Sequence, residues 1–133
     1  MRAPPLAAFR ATGYEAAGIV VRIGARSPAM EALLARHGAR RAAFITAWNP
    51  RSRRMPAGWN RRMQDRLRQA AGVTVLAEGF GRGPGWAEHH LLLAGAPGRL
   101  LVLARRFRQW AIVALGPGQP ARLLLAYRPS RAG

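Results

Sequence analysis

Two glutamates carry the most chemical weight in this chain. Glu78 and Glu88 are two of only five acidic residues set against 22 basic ones. A carboxylate retained in so basic a chain suits a general acid or base, or a group that orients a neighbouring histidine. Both are therefore candidate catalytic residues. Glu88 and His90 stand two apart, the spacing that puts two side chains on one face of a strand. Candidate ligand contacts surround them. Thr46-Ala47-Trp48-Asn49-Pro50 lies where an apolar run gives way to a loop, and the Asn49 amide can donate and accept, as a sugar, base or amide ligand requires. Asn-Pro is also a common turn starter. Asn60 falls on the buried side of a helix, where its amide either binds a loop backbone or points into a pocket. Thr46, Asn49, Asn60 and His90 are the candidate ligand contacts that the residues themselves suggest. Gly79, Gly81, Gly83 and Gly85 alternate and read as a flexible glycine-rich loop. They match neither of the established phosphate-loop patterns.

Charge supplies the second constellation. The formal net charge is +17, and every basic residue is arginine. A GC-rich coding genome explains arginine in place of lysine, but it does not explain the scarcity of acids. Arg51, Arg53, Arg54, Arg61 and Arg62 cluster after Trp48, with Arg66 and Arg68 beyond them. The guanidinium is a planar, bidentate donor to phosphate and stacks on bases. Arginines interleaved with Trp48 and Trp59 resemble the pattern of single-strand binding. The expected partner is a nucleic acid or nucleotide, with an acidic protein as the alternative.

Other classes are excluded. Without cysteine there are no disulfides, thiolate zinc sites, iron–sulfur clusters or cysteine nucleophiles. Ser27, Ser52 and Ser130 lie outside any G-x-S-x-G context. In Glu88-His89-His90 adjacent side chains point to opposite faces, so the three do not converge on one metal ion. No metal and no cofactor is expected. No run approaches the roughly 20 apolar residues of a membrane span, and Met1 to Tyr14 lacks a secretory core. These features predict a cytoplasmic protein.

The elements that must position these residues follow from periodicity. The length of 133 residues suits one domain: a loosely held segment over 1–12, a single domain over 13–127 and a tail over 128–133. Ile19 to Ile23 reads as a strand. Ser27 and Pro28 start a helix with Met30, Leu33, Leu34 and His37 on one face, and Gly38 ends it. Ala42 to Trp48 is a buried strand. Pro56 to Ala71 is a helix with Trp59, Met63, Leu67 and Ala70 facing inward. Val73 to Ala77 and Glu88 to Ala94 are strands, and a third helix from Pro97 packs Leu100, Leu103, Ala104 and Phe107. Trp110 to Leu115 and Arg122 to Tyr127 are the last strands. The expected class is α/β with an α+β tendency: a single mixed sheet of about six strands with about three packed helices.

Taken in order, the Thr46–Pro50 run, Asn60-Arg61-Arg62, Glu78-Gly79, Trp86-x-Glu88 and Phe107-x-Gln109-x-Ala111-Ile112-Val113 resemble a small bacterial family of unknown function, DUF3293. The likeness runs from about Gly13 to Tyr127. The family's pattern has Pro-Ser where this chain has His89-His90, and a small or polar residue where Trp110 stands. The resemblance implies a compact α/β domain and no particular activity. It also singles out Asn49, Asn60, Glu78, Trp86, Glu88 and Gln109, which are expected to line one cleft. Three functions follow as expectations: a domain binding a phosphate-bearing ligand beside a polar cleft, an enzyme on a nucleotide or sugar-phosphate using Glu78 or Glu88, or an interaction module for an acidic protein.

Overall fold

The computed structural model describes residues 3–127. Its helices are α1 (Leu6–Ala11), α2 (Pro28–Arg36), α3 (Ala57–Ala71) and α4 (Pro97–Arg106). Its strands are β1 (Gly13–Ala16), β2 (Ile19–Val21), β3 (Ala42–Ile45), β4 (Val75–Gly83), β5 (Trp86–Ala94), β6 (Ala111–Leu115) and β7 (Arg122–Leu125). Local chemistry writes α2 as expected. The Ser27 hydroxyl accepts from the Met30 N–H at 3.1 Å, Pro28 opens the helix, and Gly38 leaves it at φ 66°. His37 ends the helix in an exposed position rather than on its packed face. The tail over 128–133 lies outside the described residues.

The seven strands form one sheet in the order β2-β1-β4-β5-β3-β6-β7. Every neighbouring pair is antiparallel. This corrects the expectation of a mixed sheet of about six strands and three helices. The reason lies in the connections. A parallel pair needs a crossover that returns to the adjacent position, whereas α2 and α3 each join strands that are not sheet neighbours. β1 was missed because Gly13-Tyr14-Glu15-Ala16 has no β-branched residue. Pairing to β2 and β4 makes it a strand, and Ala17 and Gly18, both at positive φ, turn the chain back as a tight hairpin.

The glycine-rich segment is the second correction. Gly79, Gly81 and Gly83 are not a loop but lie within β4, and the turn is left to Pro84-Gly85. Period two puts all three on one face. There, a Cβ on Gly79 would stand 3.2 Å from the Phe44 ring, one on Gly81 would stand 2.8 Å from His90, and one on Gly83 would overlap the Trp86 indole. The missing side chains are the space that three aromatic rings occupy.

The sheet curls into a half-barrel. Its two edges approach where Ile23 bridges Ala121, with Gly24 N–H donating to Ala121 O at 2.8 Å. The inner face packs Tyr14, Val21, Phe44, Leu92, Val113 and Leu115 against Met30, Leu33 and Leu34 of α2. The outer face packs Ala43, Ile45, Leu91, Leu93 and Ile112 against Leu67 of α3 and Leu100 and Ala104 of α4. β3 is buried along its whole length because it serves both cores. The inward face of α3 is rotated from the expected one. Asn60, Gln64 and Leu67 are buried, while Trp59 is only half-buried. Two of the deepest positions are amides, which a search for apolar periodicity passes over. Among the described residues no helix is long and apolar enough to cross a membrane.

Candidate functional site

α2 seals one end of the inner trough, and the other end is open. There a cleft of about 60 Å³ is lined by Thr12, Tyr14, Thr46, Asn49, Trp86, Glu88, His90, Gln109 and Trp110, among others. Its free volume has room for a few water-sized groups. β5 supplies one wall: Trp86, Glu88 and His90 alternate along it, opposite Gly83, Gly81 and Gly79. The end of β3 supplies another. The Thr46 hydroxyl donates to His89 O at 2.6 Å and accepts from the Trp48 N–H at 3.0 Å.

Three amides hold the segment that follows. Gln64 Oε1 accepts from Ala47 N–H at 2.9 Å. Asn60 Oδ1 accepts from Asn49 N–H at 3.0 Å, and Asn60 Nδ2 donates to Asn49 Oδ1, also at 3.0 Å. Gln109 Nε2 donates to the carbonyls of Trp48 and Phe107 at 3.0 and 3.2 Å. Asn49 Oδ1 also accepts from Met55 N–H at 2.9 Å, which closes the loop. The turn so held is strained. Asn49, Arg51, Ser52 and Arg108 are all non-glycine residues at positive φ, and Arg51 N–H donates to Arg108 O at 2.8 Å. Such conformations cost about 1 kcal/mol or more each and gather at functional sites. The Arg51 guanidinium lies 5.9 Å from the Trp110 ring centroid and 5.0 Å from that of Tyr127, which anchors the turn over the cleft wall.

The cleft's titratable groups are shifted toward their neutral forms. Burial pushes the Glu88 carboxyl above its ordinary value, and a hydrogen bond from the Asn49 side chain offsets this in part. Burial lowers His90 to about 4, so the imidazole is neutral near pH 7. Its Nδ1 lies 3.1 Å from Glu88 O, and its ring meets Tyr14 edge-on at 5.7 Å. Burial is also the main cause raising Tyr14, with the Glu88 charge adding to it. A carboxyl of raised pKa beside a neutral imidazole and a protonated phenol can exchange a proton or bind N–H groups.

The structure brings Thr46, Asn49, Trp86, Glu88, His90 and Gln109 to this cleft. It does not bring Glu78 or Asn60, so the expected single lining is corrected. Glu78 pairs with Leu91 in the sheet and so faces the outer side, one residue out of phase with Gly79 opposite His90. Its carboxylate is ion-paired with Arg68 of α3 and meets the Nε2 of His89 of β5. The hydrogen bond from Arg68 is the largest cause holding Glu78 below its ordinary value. Asn60 spends its amide on Asn49 and on Met55 O, making it a clamp beneath the loop. The arginines divide as well. Arg51, Arg53 and Arg54 are exposed on the strained loop, whereas Arg61 and Arg62 are exposed on α3, where Arg61 lines an outer groove with Trp48, Gln64 and His89.

Sequence reasoning missed Thr12, Tyr14 and Trp110 as cleft residues. Thr12 and Tyr14 share strand spacing, but a strand had to be recognised at β1 before that spacing meant anything. Trp110 is 8% exposed, and its indole N–H is buried with no hydrogen-bond partner. Among the described residues no group of three or more His, Asp and Glu stands close enough to hold a metal ion.

The model of a family described as a protein of unknown function, DUF3293, matches residues 45–112. That span holds Thr46, Asn49, Trp86, Glu88, His90, Gln109 and Trp110, while Thr12 and Tyr14 precede it. No curated protein and no solved structure matches the chain. From Thr46 at the end of β3 to Ile112 in β6, the loop clamp and most of the cleft lie within the match, and the chain belongs to the DUF3293 family.

Proposed function

We propose that the inner cleft binds the polar head of a phosphate-bearing ligand, a nucleotide or a nucleic-acid segment, with the phosphate held by arginines of the strained loop. The observation that carries this reading is that the turn Asn49 starts lines the cleft through Asn49 and Ser52, opposite the wall of Glu88 and His90, and carries the exposed Arg51, Arg53 and Arg54. Guanidinium groups bind phosphate bidentately, and a turn fixed by three amides presents them without much loss of entropy. Glu88 and Gln109 then offer an acceptor and an amide to the ligand's polar edge.

The test is titration with nucleotides and short RNA or DNA at several salt concentrations. Binding is expected to weaken linearly in log–log form as counterions are released, with a slope reduced by about one when Arg53 or Arg54 is replaced by alanine. Glu88→Gln is expected to weaken a nucleotide about tenfold, the loss of one charge-assisted contact. Absence of binding to RNA, DNA and nucleotides at low salt would sink the reading.

A second reading has an observation of its own. A carboxyl with a raised pKa inside a cleft is the feature of a general acid or base. In that reading Glu88 moves the proton on a nucleotide or sugar-phosphate substrate. Turnover of a phosphate ester or glycosidic bond, lost in Glu88→Gln and retained in Glu78→Gln, separates catalysis from binding alone.

A further inference from the structure

The inner face of β4 and β5 carries three rings laid on three glycines. Phe44 rests against Gly79, His90 against Gly81 and Trp86 against Gly83. The first two are buried, but Trp86 remains 41% exposed at the mouth of the cleft. Glu88 lies two residues further along the same face, about 7 Å away by strand rise. On the wall supplied by β6, Trp110 is more than nine-tenths buried, lines the same cleft, and keeps its indole N–H without an acceptor. Buried donors are seldom left unpaired.

These features constrain the shape of what enters. The cleft's free volume of about 60 Å³ holds a few water-sized groups, enough to admit the polar edge of a ring. A half-exposed indole seated on a glycine offers a flat, fixed face at that entrance, and aromatic faces of this kind stack nucleobases whatever their sequence. The Asn49 side chain takes one hydrogen bond of the Glu88 carboxyl, and a carboxylate has acceptor capacity beyond that for N–H groups.

We infer that Trp86 is the stacking platform for a nucleobase, which enters edge first with its N–H groups toward Glu88. This rests on the reading of the cleft as a phosphate-ligand site and names the part of the ligand that enters. The ring stacks on Trp86, and the sugar spans the gap to the loop arginines.

The experiment compares GMP, UMP, ribose 5-phosphate and inorganic phosphate by calorimetry at low salt on the wild-type protein. Both nucleotides are expected to bind at least about tenfold more tightly than ribose 5-phosphate, the scale of one stacking contact. Trp86→Ala should bring the nucleotides down to the level of ribose 5-phosphate and leave that ligand unchanged, and Trp86→Phe should recover part of the loss. Equal affinity of wild type for ribose 5-phosphate and the nucleotides overturns the stacking platform while the phosphate reading stands. Failure of all four ligands, and of oligonucleotides, overturns the phosphate reading and the platform with it. The wild-type series decides the matter even where a variant does not fold.

Discussion

Glu78 and Glu88 sit ten residues apart on adjacent antiparallel strands, and the sheet gives them opposite fates. Glu78 faces outward, half exposed, between Arg68 and His89, and is held below its ordinary pKa. Glu88 faces inward among Trp86, His90 and Tyr14, and burial raises it. The same side chain is a surface ion-pair partner on one face and a poised carboxyl on the other. What decides is the register of β4 against β5, since a slip of one residue would exchange the two faces. The environment of a carboxyl in this fold is therefore set by face. The outer face gathers charge pairs over a helix layer, and the inner face gathers groups whose charged forms burial disfavours.

The widest test of that division is acid stability. His90 is on the inner face with a folded-state value of about 4 against an ordinary 6.5. The unfolded chain then holds more protons than the folded one between those values, so stability falls as pH drops through that window. The loss amounts to about 3 kcal/mol. Denaturant midpoints from pH 7 to pH 4 should show this limb in wild type and lose it in His90→Gln. Glu78→Gln should keep it, because a lowered carboxyl gives up its contribution only below its own ordinary value of 4.5. A wild-type profile flat over that window would break the contrast between the faces.

The next test asks whether the outer layer builds the inner site. Asn60 and Gln64 belong to α3, yet they hold the backbone of Asn49 and Ala47 at the cleft. Asn60→Ala leaves the Asn49 N–H without its acceptor and Asn49 Oδ1 with the Met55 N–H alone, and should cost about 2 kcal/mol. Arg62→Ala, exposed on the same helix, should change stability by less than about 0.5 kcal/mol. Equal effects from the two would mean that the amide clamp holds nothing.

The sequence showed some of this and hid the rest, for identifiable reasons. α2 was readable in detail because its Ser27 cap, Pro28 start and Gly38 stop are all local chemistry. So was the burial of β3, an unbroken apolar run. The inward set of α3 was harder, since Asn60 and Gln64 are polar residues performing a core position's role through hydrogen bonds. The glycines of β4 misled because an empty face in a strand looks, one residue at a time, like a loop. Only the partners Phe44, His90 and Trp86, two of them on the next strand and one 35 residues upstream of Gly79, reveal what the gaps hold. Thr46, Asn49, Glu88 and His90 of the cleft set were legible from residue types and spacing, while Trp86 and Gln109 came from the resemblance to the family's motif. The separation of Glu78 from Glu88 was not legible, because it depends on pairing register, which no local pattern records.

The smallest expected effect tests the two glutamates directly, and its content is a sign rather than a size. Glu88 has a raised folded-state value, so its contribution is present in full below the ordinary value of 4.5 and is lost as pH rises through the folded one. Ionising it is a burden to the fold, and Glu88→Gln should leave stability at pH 7 unchanged or raise it. Glu78 has a lowered value, so its contribution is present at pH 7, and Glu78→Gln should reduce stability. That reduction should stay under about 1 kcal/mol, because the pair with Arg68 is solvent-exposed and screened by salt. Urea midpoints at pH 7 in low and high salt measure both. Salt should shrink the Glu78 effect and leave that of Glu88 nearly untouched, since a buried charge is poorly screened. Two variants that shift in the same direction with the same salt dependence would put both carboxylates in one environment, and the division of labour between the faces would fail at its origin.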